Sequence, residues 1–286
     1  MFNFCLSPFS ANGHLLQVEY ATVAASKGET SVGIRTCDGV VIATERRFQL
    51  GLVDEATLQN AKKVSENIGI TYSGLEPDFR VLVDRARKYA EVYRVKYDEL
   101  MPAFELVKQM GTLLQEYTQS CGVRPFGVFL LYAGWESGGP FLYRTDPSGA
   151  YCALNAAAFG KNAAIENEFL KCQACDEMKL DVAVCTAIMA LKKGFKGNLS
   201  KHDIEVGVCH ENGFSLLDAN TISPQEPLMR QLLIVVAVAL AVTTPIQAGG
   251  GSSLMGRGGA DLGWSGRSWD VGLEVQQHGE QQPPNN

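Results

Sequence analysis

The chain has 286 residues, 46% of them hydrophobic and 20% charged, with a mean hydropathy of −0.02. That composition belongs to a folding globular chain with enough apolar material for a core, so disorder throughout is excluded. A formal charge of −6, from 25 Lys and Arg against 31 Asp and Glu, gives no net-charge attraction to nucleic acid or anionic lipid.

Leu15 to Ser26 has helical spacing in Leu15, Val18 and Ala21 or Thr22. The runs Thr30 to Thr36 and Val40 to Glu45 are rich in β-branched residues, and Cys37-Asp38-Gly39 between them is a hairpin signal. A short strand is expected at Ile68 to Ser73. Pro77 then opens a long amphipathic helix to about Tyr97, with Phe79, Leu82, Val83, Ala86, Tyr89, Ala90 and Tyr93 on one face. A second helix follows Pro102 through Leu106, Met110, Leu113, Leu114 and Tyr117. Strands come next at Gly127 to Ala133, Phe141 to Thr145 and Tyr151 to Leu154, with turns at Gly138-Gly139-Pro140 and Asp146-Pro147-Ser148-Gly149. Helices at Ala163 to Lys171 and Asp181 to Lys193 precede a closing strand pair, Ile204 to Cys209 and Phe214 to Leu217. Because each sheet must bury an apolar face, this order predicts an α+β fold in four layers. Two central sheets form an αββα sandwich with a helix pair outside each.

After about Asp218 the character changes. The last lysine is Lys201, and residues 224–286 hold 10 of the 29 glycines. The segment from Gly249 and the ending Gln281-Gln-Pro-Pro-Asn-Asn read as flexible tail. Leu232 to Val242 is an unbroken apolar run of 11 residues, against about 20 needed to span a bilayer. It reads as a buried or partner-docked segment. The eight cysteines, Cys5, Cys37, Cys121, Cys152, Cys172, Cys175, Cys185 and Cys209, are scattered through the chain and read as reduced. The first residues carry no basic segment followed by an apolar core, so a cytoplasmic or nuclear location is expected.

Phe9-Ser-Ala-Asn-Gly-His-Leu-Leu-Gln-Val-Glu-Tyr-Ala21 resembles the N-terminal signature of proteasome α subunits. Further blocks are similar in the same order: Tyr72-Ser-Gly74, Arg80 to Lys88, Gln115 to Ser120, Gly122 to Val128, Asp146 to Tyr151 and Gly160-Lys-Asn162. The resemblance covers about residues 2–217. It implies the N-terminal-nucleophile hydrolase-like sandwich with an extra N-terminal helix. It also implies a gate tail and ring-contact helix over 1–28 and the sandwich over 29–218, while residues 219–286, beyond the resemblance, read from their composition as a divergent, disordered Gly/Pro-rich tail.

In the proteolytic β relatives, a threonine freed as the new N-terminus uses its own amine as base. The equivalent strand here opens Lys27-Gly-Glu-Thr-Ser31, without a Gly-Thr junction: alignment on Gly39 puts Glu29 at the nucleophile position and Thr30 one residue late. A nitrogen held in a peptide bond is no base, so the resemblance implies a non-catalytic subunit with no catalytic residue. Glu45 stands where the β relatives carry an acidic partner and reads as the last polar residue of its strand.

The resemblance further implies a seven-membered ring of α subunits stacked on a β ring. This chain would contribute to assembly, to gating the entry of unfolded polypeptide for ubiquitin-dependent degradation, and to docking of regulatory-particle ATPase tails or other activators. The gate and ring-contact candidates are Phe2, Asn3, Phe9, Gly13, Gln17, Glu19 and Tyr20. Where the family's gate cluster uses Tyr, Asp, Pro and Tyr, this chain has Phe2, Asn3, Ala11 and Tyr20, and only Tyr20 carries over. The eight residues before Phe9 reach at most about 28 Å. The family's activator pocket uses a lysine to receive a chain-end carboxylate. Gapless counting from Asp54-Glu55 to Tyr72-Ser-Gly74 puts Asn60 there, with Lys62 and Lys63 close by. Lys63 substitutes if the strand carries a local shift.

No metal, nucleotide or organic cofactor is implied. Cys172-Gln-Ala-Cys175 lacks a second ligand pair, and His14, His202, His210 and His278 lie in no recognised triad. Arg85, Arg87 and Lys88 read as a solvated or subunit-facing surface, and neither nucleic acid nor membrane is expected as a partner. Two rivals remain: an active threonine peptidase cut before Thr30, and a diverged paralogue outside the ring, whose C-terminal helix is replaced by Pro224, Pro227 and the apolar run.

Overall fold

The computed structural model describes residues 9–46, 59–136, 138–173, 178–195 and 203–217. Phe2, Asn3, Cys175, His202 and the whole expected tail from 219, with its apolar run, lie outside the described residues. In chain order the elements are α1 (Leu16–Ser26), β1 (Ser31–Arg35), β2 (Val40–Glu45), β3 (Ala61–Ser65), β4 (Ile68–Gly74), α2 (Glu76–Tyr97), α3 (Ala103–Gln119) and β5 (Val128–Glu136). They continue with β6 (Gly139–Thr145), β7 (Tyr151–Ala153), β8 (Ala156–Phe159), α4 (Ala163–Gln173), α5 (Leu180–Gly194), β9 (Ile204–His210) and β10 (Gly213–Leu217).

The strands form two antiparallel sheets, ordered β10-β9-β2-β1-β8 and β3-β4-β5-β6-β7. β1 and β2 form the expected hairpin, paired from Arg35 with Val40 to Ser31 with Thr44. Both are buried along nearly their whole length, which explains their continuous apolar runs. Side-chain alternation sends Val41 and Ala43 toward α4 and α5, whereas Val40 and Ile42 meet Leu131, Ala133 and Leu142 of the other sheet. The second sheet carries α2 and α3 on its outer face around Phe79, Leu82, Leu106, Met110 and Leu114. The result is the four-layer αββα sandwich with an additional helix, α1, in front of it.

α2 buries Phe79, Leu82, Val83, Ala86 and Ala90, as its spacing requires, and Phe79 stacks on Tyr72 of β4 with ring centroids 4.1 Å apart. Pro77 sits in its first turn, where no backbone donor is needed. Truncating a side chain such as Leu82 in this layer costs about 2–5 kcal/mol. Three features depart from the expected elements. Ala61–Ser65 is a strand, β3, paired with β4; β5 runs on to Glu136; and Ala156–Phe159 is a strand that its alanines conceal, held by pairing with Ser31 to Ile34 of β1.

Candidate functional site

The described N-terminal candidates sit on a turn and on α1. Phe9 bridges Leu15, and Gly13, with φ of +79°, closes the turn by donating its amide to the Ser10 carbonyl at 2.9 Å. His14 Nδ1 lies 2.9 Å from Glu19 Oε1. α1 buries Ala21 and Ala25 against the second sheet, where the Ser73 hydroxyl donates to the Ala25 carbonyl at 3.0 Å. Leu16, Tyr20 and Val23, spaced one helical turn apart, stay exposed at 39%, 60% and 51%. Gln17 and Tyr20 also line a shallow groove of about 230 Å³ with Leu75, Arg124 and Pro125. Leu16, Tyr20 and Val23 form an apolar stripe that this 11-residue helix leaves uncovered.

Beside that groove lies an ion pair that the sequence does not announce. Asp78, in the first turn of α2, takes two bonds of 2.7 Å from the Arg124 guanidinium and one of 3.0 Å from the Gly127 amide. Burial alone would raise its pKa. The Arg124 and Gly127 donors outweigh burial and hold the carboxyl below its ordinary value. The pair fixes the loop that forms one wall of the groove.

The strand start that carries the nucleophile in β relatives is closed. Thr30 is fully buried, and its carbonyl accepts the Glu45 amide at 2.9 Å. Gly160, at φ of +124°, passes so near that a Cβ there would lie 2.7 Å from the Thr30 Cα. Glu29 pairs with the Lys161 ammonium, which also bonds Glu45 at 3.0 Å. Glu45 is therefore more than the last polar residue of β2: it is a buried ion-pair member, 2% exposed. The sequence holds Lys161 inside a family-like block but assigns it no partner, because its two carboxylates lie 132 and 116 residues away.

Of the three activator-pocket candidates, Asn60 and Lys62 lie in one neighbourhood, both bearing on Glu205 beside the Tyr72–Phe79 stack, with Lys63 one residue further along β3. Asn60 is tied inward: its amide donates to Glu205 Oε2 at 2.8 Å, its Nδ2 to the Glu45 carbonyl at 3.1 Å, and the Tyr72 hydroxyl donates to its Oδ1 at 3.4 Å. Lys62 pairs with Ile70 across β3 and β4 and places its ammonium 5.8 Å from the centre of the Phe79 ring. Lys63 is exposed, and its carbonyl accepts two bonds from Arg87 at 2.9 and 3.1 Å. β3 carries a register shift between Lys63 and Ser65.

Among the described residues, no group of His, Cys, Asp and Glu side chains has the arrangement of a metal site, and no helix is long and apolar enough to cross a membrane. Cys172 is exposed on α4, and Cys175, the other cysteine of that short motif, is outside the described residues.

Comparison with known proteins points the same way. The family model described as "Proteasome subunit" matches residues 25–209. Proteasome subunit alpha type-2 of Drosophila melanogaster is 47% identical over 221 residues, covering 77% of this chain and 94% of the fly protein. Proteasome subunit alpha type-2-A of Arabidopsis thaliana is 48% identical over 206 residues, 72% of this chain and 88% of the plant protein. The Trypanosoma brucei brucei alpha type-2 subunit is 45% identical over 215 residues, 75% of this chain and 93% of its own length. The fold, the closed strand start and these similarities together show that the chain belongs to the proteasome subunit family, with its similarity on the α type-2 side.

Proposed function

We propose that this chain is a non-catalytic member of the proteasome α ring that shapes the entrance for unfolded polypeptide in ubiquitin-dependent protein degradation. The observation that best supports this is Thr30: its carbonyl is bound to Glu45, its side chain is fully buried, and its nitrogen remains in the chain behind α1. A hydroxyl without a free amine beside it lacks the base that this chemistry needs.

The seven-membered ring, the stacked β ring and activator docking belong to the same reading. In it, residues 1–28 form the gate and ring-contact part, and Leu16, Tyr20 and Val23 of α1 meet the adjacent α subunit, with Phe9, Gly13, Gln17 and Glu19 shaping the approach. Exposed Val92, Val95, Tyr97 and Phe104 near the α2–α3 connection offer a second, separate apolar surface for the stacked ring. The gate tail would bring Phe2 and Asn3 to the pore. We place the protein in the cytoplasm and nucleus, on the strength of its family and its scattered cysteines.

The experiment is incorporation of tagged full-length chain into native particles. Wild type should co-purify with the other subunits, and the double variant Leu16→Ser with Tyr20→Ser should incorporate at least about tenfold less, a loss of roughly 1.4 kcal/mol or more. Equal incorporation would remove α1 from the contact. For activators, Lys63 is the proposed receptor of a chain-end carboxylate, because Asn60 is committed to Glu205, Glu45 and Tyr72. Assembled particles carrying Lys63→Ala should bind an activator tail peptide more weakly, and unchanged affinity would eliminate Lys63.

A further inference from the structure

Three carboxyl groups and one ammonium converge where β1 begins. Val32 and Ile34 of β1, with Val41 and Ala43 of β2, pack on the α4–α5 layer, so strand alternation turns Thr30 and Glu45 toward that layer as well. From α4's first turn comes Glu166, 1% exposed. α5 ends against it in Gly194, where a Cβ would lie 2.2 Å from Glu166 Oε1. Lys161, in the turn between β8 and α4, bonds Glu45 and Glu29 through its ammonium, and its amide donates to the Gly28 carbonyl at 3.1 Å. That turn therefore fastens the exit of α1 to the sandwich.

Two buried atoms in this enclosure have no hydrogen-bond partner: Thr30 Oγ1 and Glu166 Oε2. A bare carboxylate oxygen in such a place is costly, whereas a carboxylic acid is neutral and has a proton to donate. With every group ionised, Glu166 would put a further negative charge beside Glu45, whose carboxylate already bonds the Lys161 ammonium.

We propose that Glu166 holds a proton that keeps this junction closed, making the Glu29–Lys161–Glu45–Glu166 cluster a proton-held latch between the α1 exit, β2 and the α4–α5 layer. Neutral Glu166 leaves Lys161 to Glu45 and Glu29. Loss of the proton puts a second carboxylate beside Glu45 to compete for Lys161, which weakens the hold of that ammonium on Glu29 at the exit of α1.

Burial first, and then the charge of Glu45, push the Glu166 carboxyl up to about 8, with Lys161 pulling the other way. Among the described residues the charged groups bearing on it are Glu45 from β2 and Lys161 from the β8–α4 turn, with Glu29 acting through Lys161. α5 presents Gly194, with Lys193 turned onto the Phe169 ring at 4.5 Å, and Arg46 after β2 bears on Glu205. The residue before β1 is the uncharged Thr30. Since the closed state keeps a proton that the opened chain gives up, opening grows as pH rises from the ordinary value of 4.5 to about 8 and levels off above it.

The test is amide hydrogen exchange of the full chain across that pH range, corrected for intrinsic rates and read at residues 28–31 and 160–166. Opening in the wild type should rise by up to about tenfold per pH unit between about pH 5 and pH 8, and be flat in Glu166→Gln. A flat wild-type profile, or the same slope in the variant, would overturn the latch. Should Glu166→Gln fail to fold, carboxyl-carbon NMR of wild-type Glu166 decides. A midpoint well above the ordinary carboxylate range supports the proposal, and one within that range refutes it.

Discussion

Asp78 and Glu166 occupy the same kind of place and behave in opposite ways. Each is an acid in the first turn of a helix that packs on a sheet, and each is buried. Asp78 meets a bidentate guanidinium and a backbone amide, and its carboxyl is held below the ordinary range. Glu166 meets Glu45 and a lysine already committed elsewhere, keeps an unpartnered oxygen, and is pushed up to about 8. Both lie at the positive end of a helix dipole, which favours a negative charge. The dipole does not decide the outcome; the donors within reach do. At the groove by α1 the protein stabilises a charge, and at the closed strand start it suppresses one.

The strongest way to break this contrast is at the turn that builds the second region. Gly160→Ala would force a left-handed φ on alanine and bring its Cβ against the Thr30 Cα and the Glu29 carbonyl. A loss of about 3 kcal/mol or more is expected in denaturant unfolding, and a loss under about 1 kcal/mol would mean that the turn does not press on Thr30. A smaller effect is expected from Asp78→Asn, about 1.5–3 kcal/mol at neutral pH from the charge-assisted bonds. Because the folded value of Asp78 is depressed, its contribution is present above the unfolded value of about 3.9 and is lost as pH falls through the folded one. The difference between Asp78→Asn and wild type should therefore shrink below about pH 4, the opposite slope to that expected for Glu166. A difference that persists unchanged in acid would show that the loss comes from altered packing.

The sequence was most readable where one element decides the outcome by itself. The three-and-four spacing from Phe79 to Ala90 marks the buried face of α2, and Cys37-Asp38-Gly39 marks the β1–β2 hairpin. The order of strands and helices also implied four layers, because each amphipathic element needs a partner. β8 was hidden, since an alanine run becomes a strand only through pairing with β1. The charged clusters were hidden for a related reason. Arg124 meets Asp78 across 46 residues and Lys161 meets Glu29 across 132, distances that no local pattern encodes. Of the candidate residues, Gln17 and Tyr20 share a groove, whereas Asn60 is a half-buried residue bonded to Glu205, Glu45 and Tyr72, contacts its position in the chain did not reveal.

Native mass spectrometry of particles isolated through a tag on the full-length chain tests the central claim most directly. The account predicts this chain inside a large complex with other proteasome subunits, its bond between Glu29 and Thr30 intact, and no modification of Thr30 by an electrophilic peptidase inhibitor. A lone species near 31 kDa, or a chain that begins at Thr30 and carries the inhibitor, would contradict it.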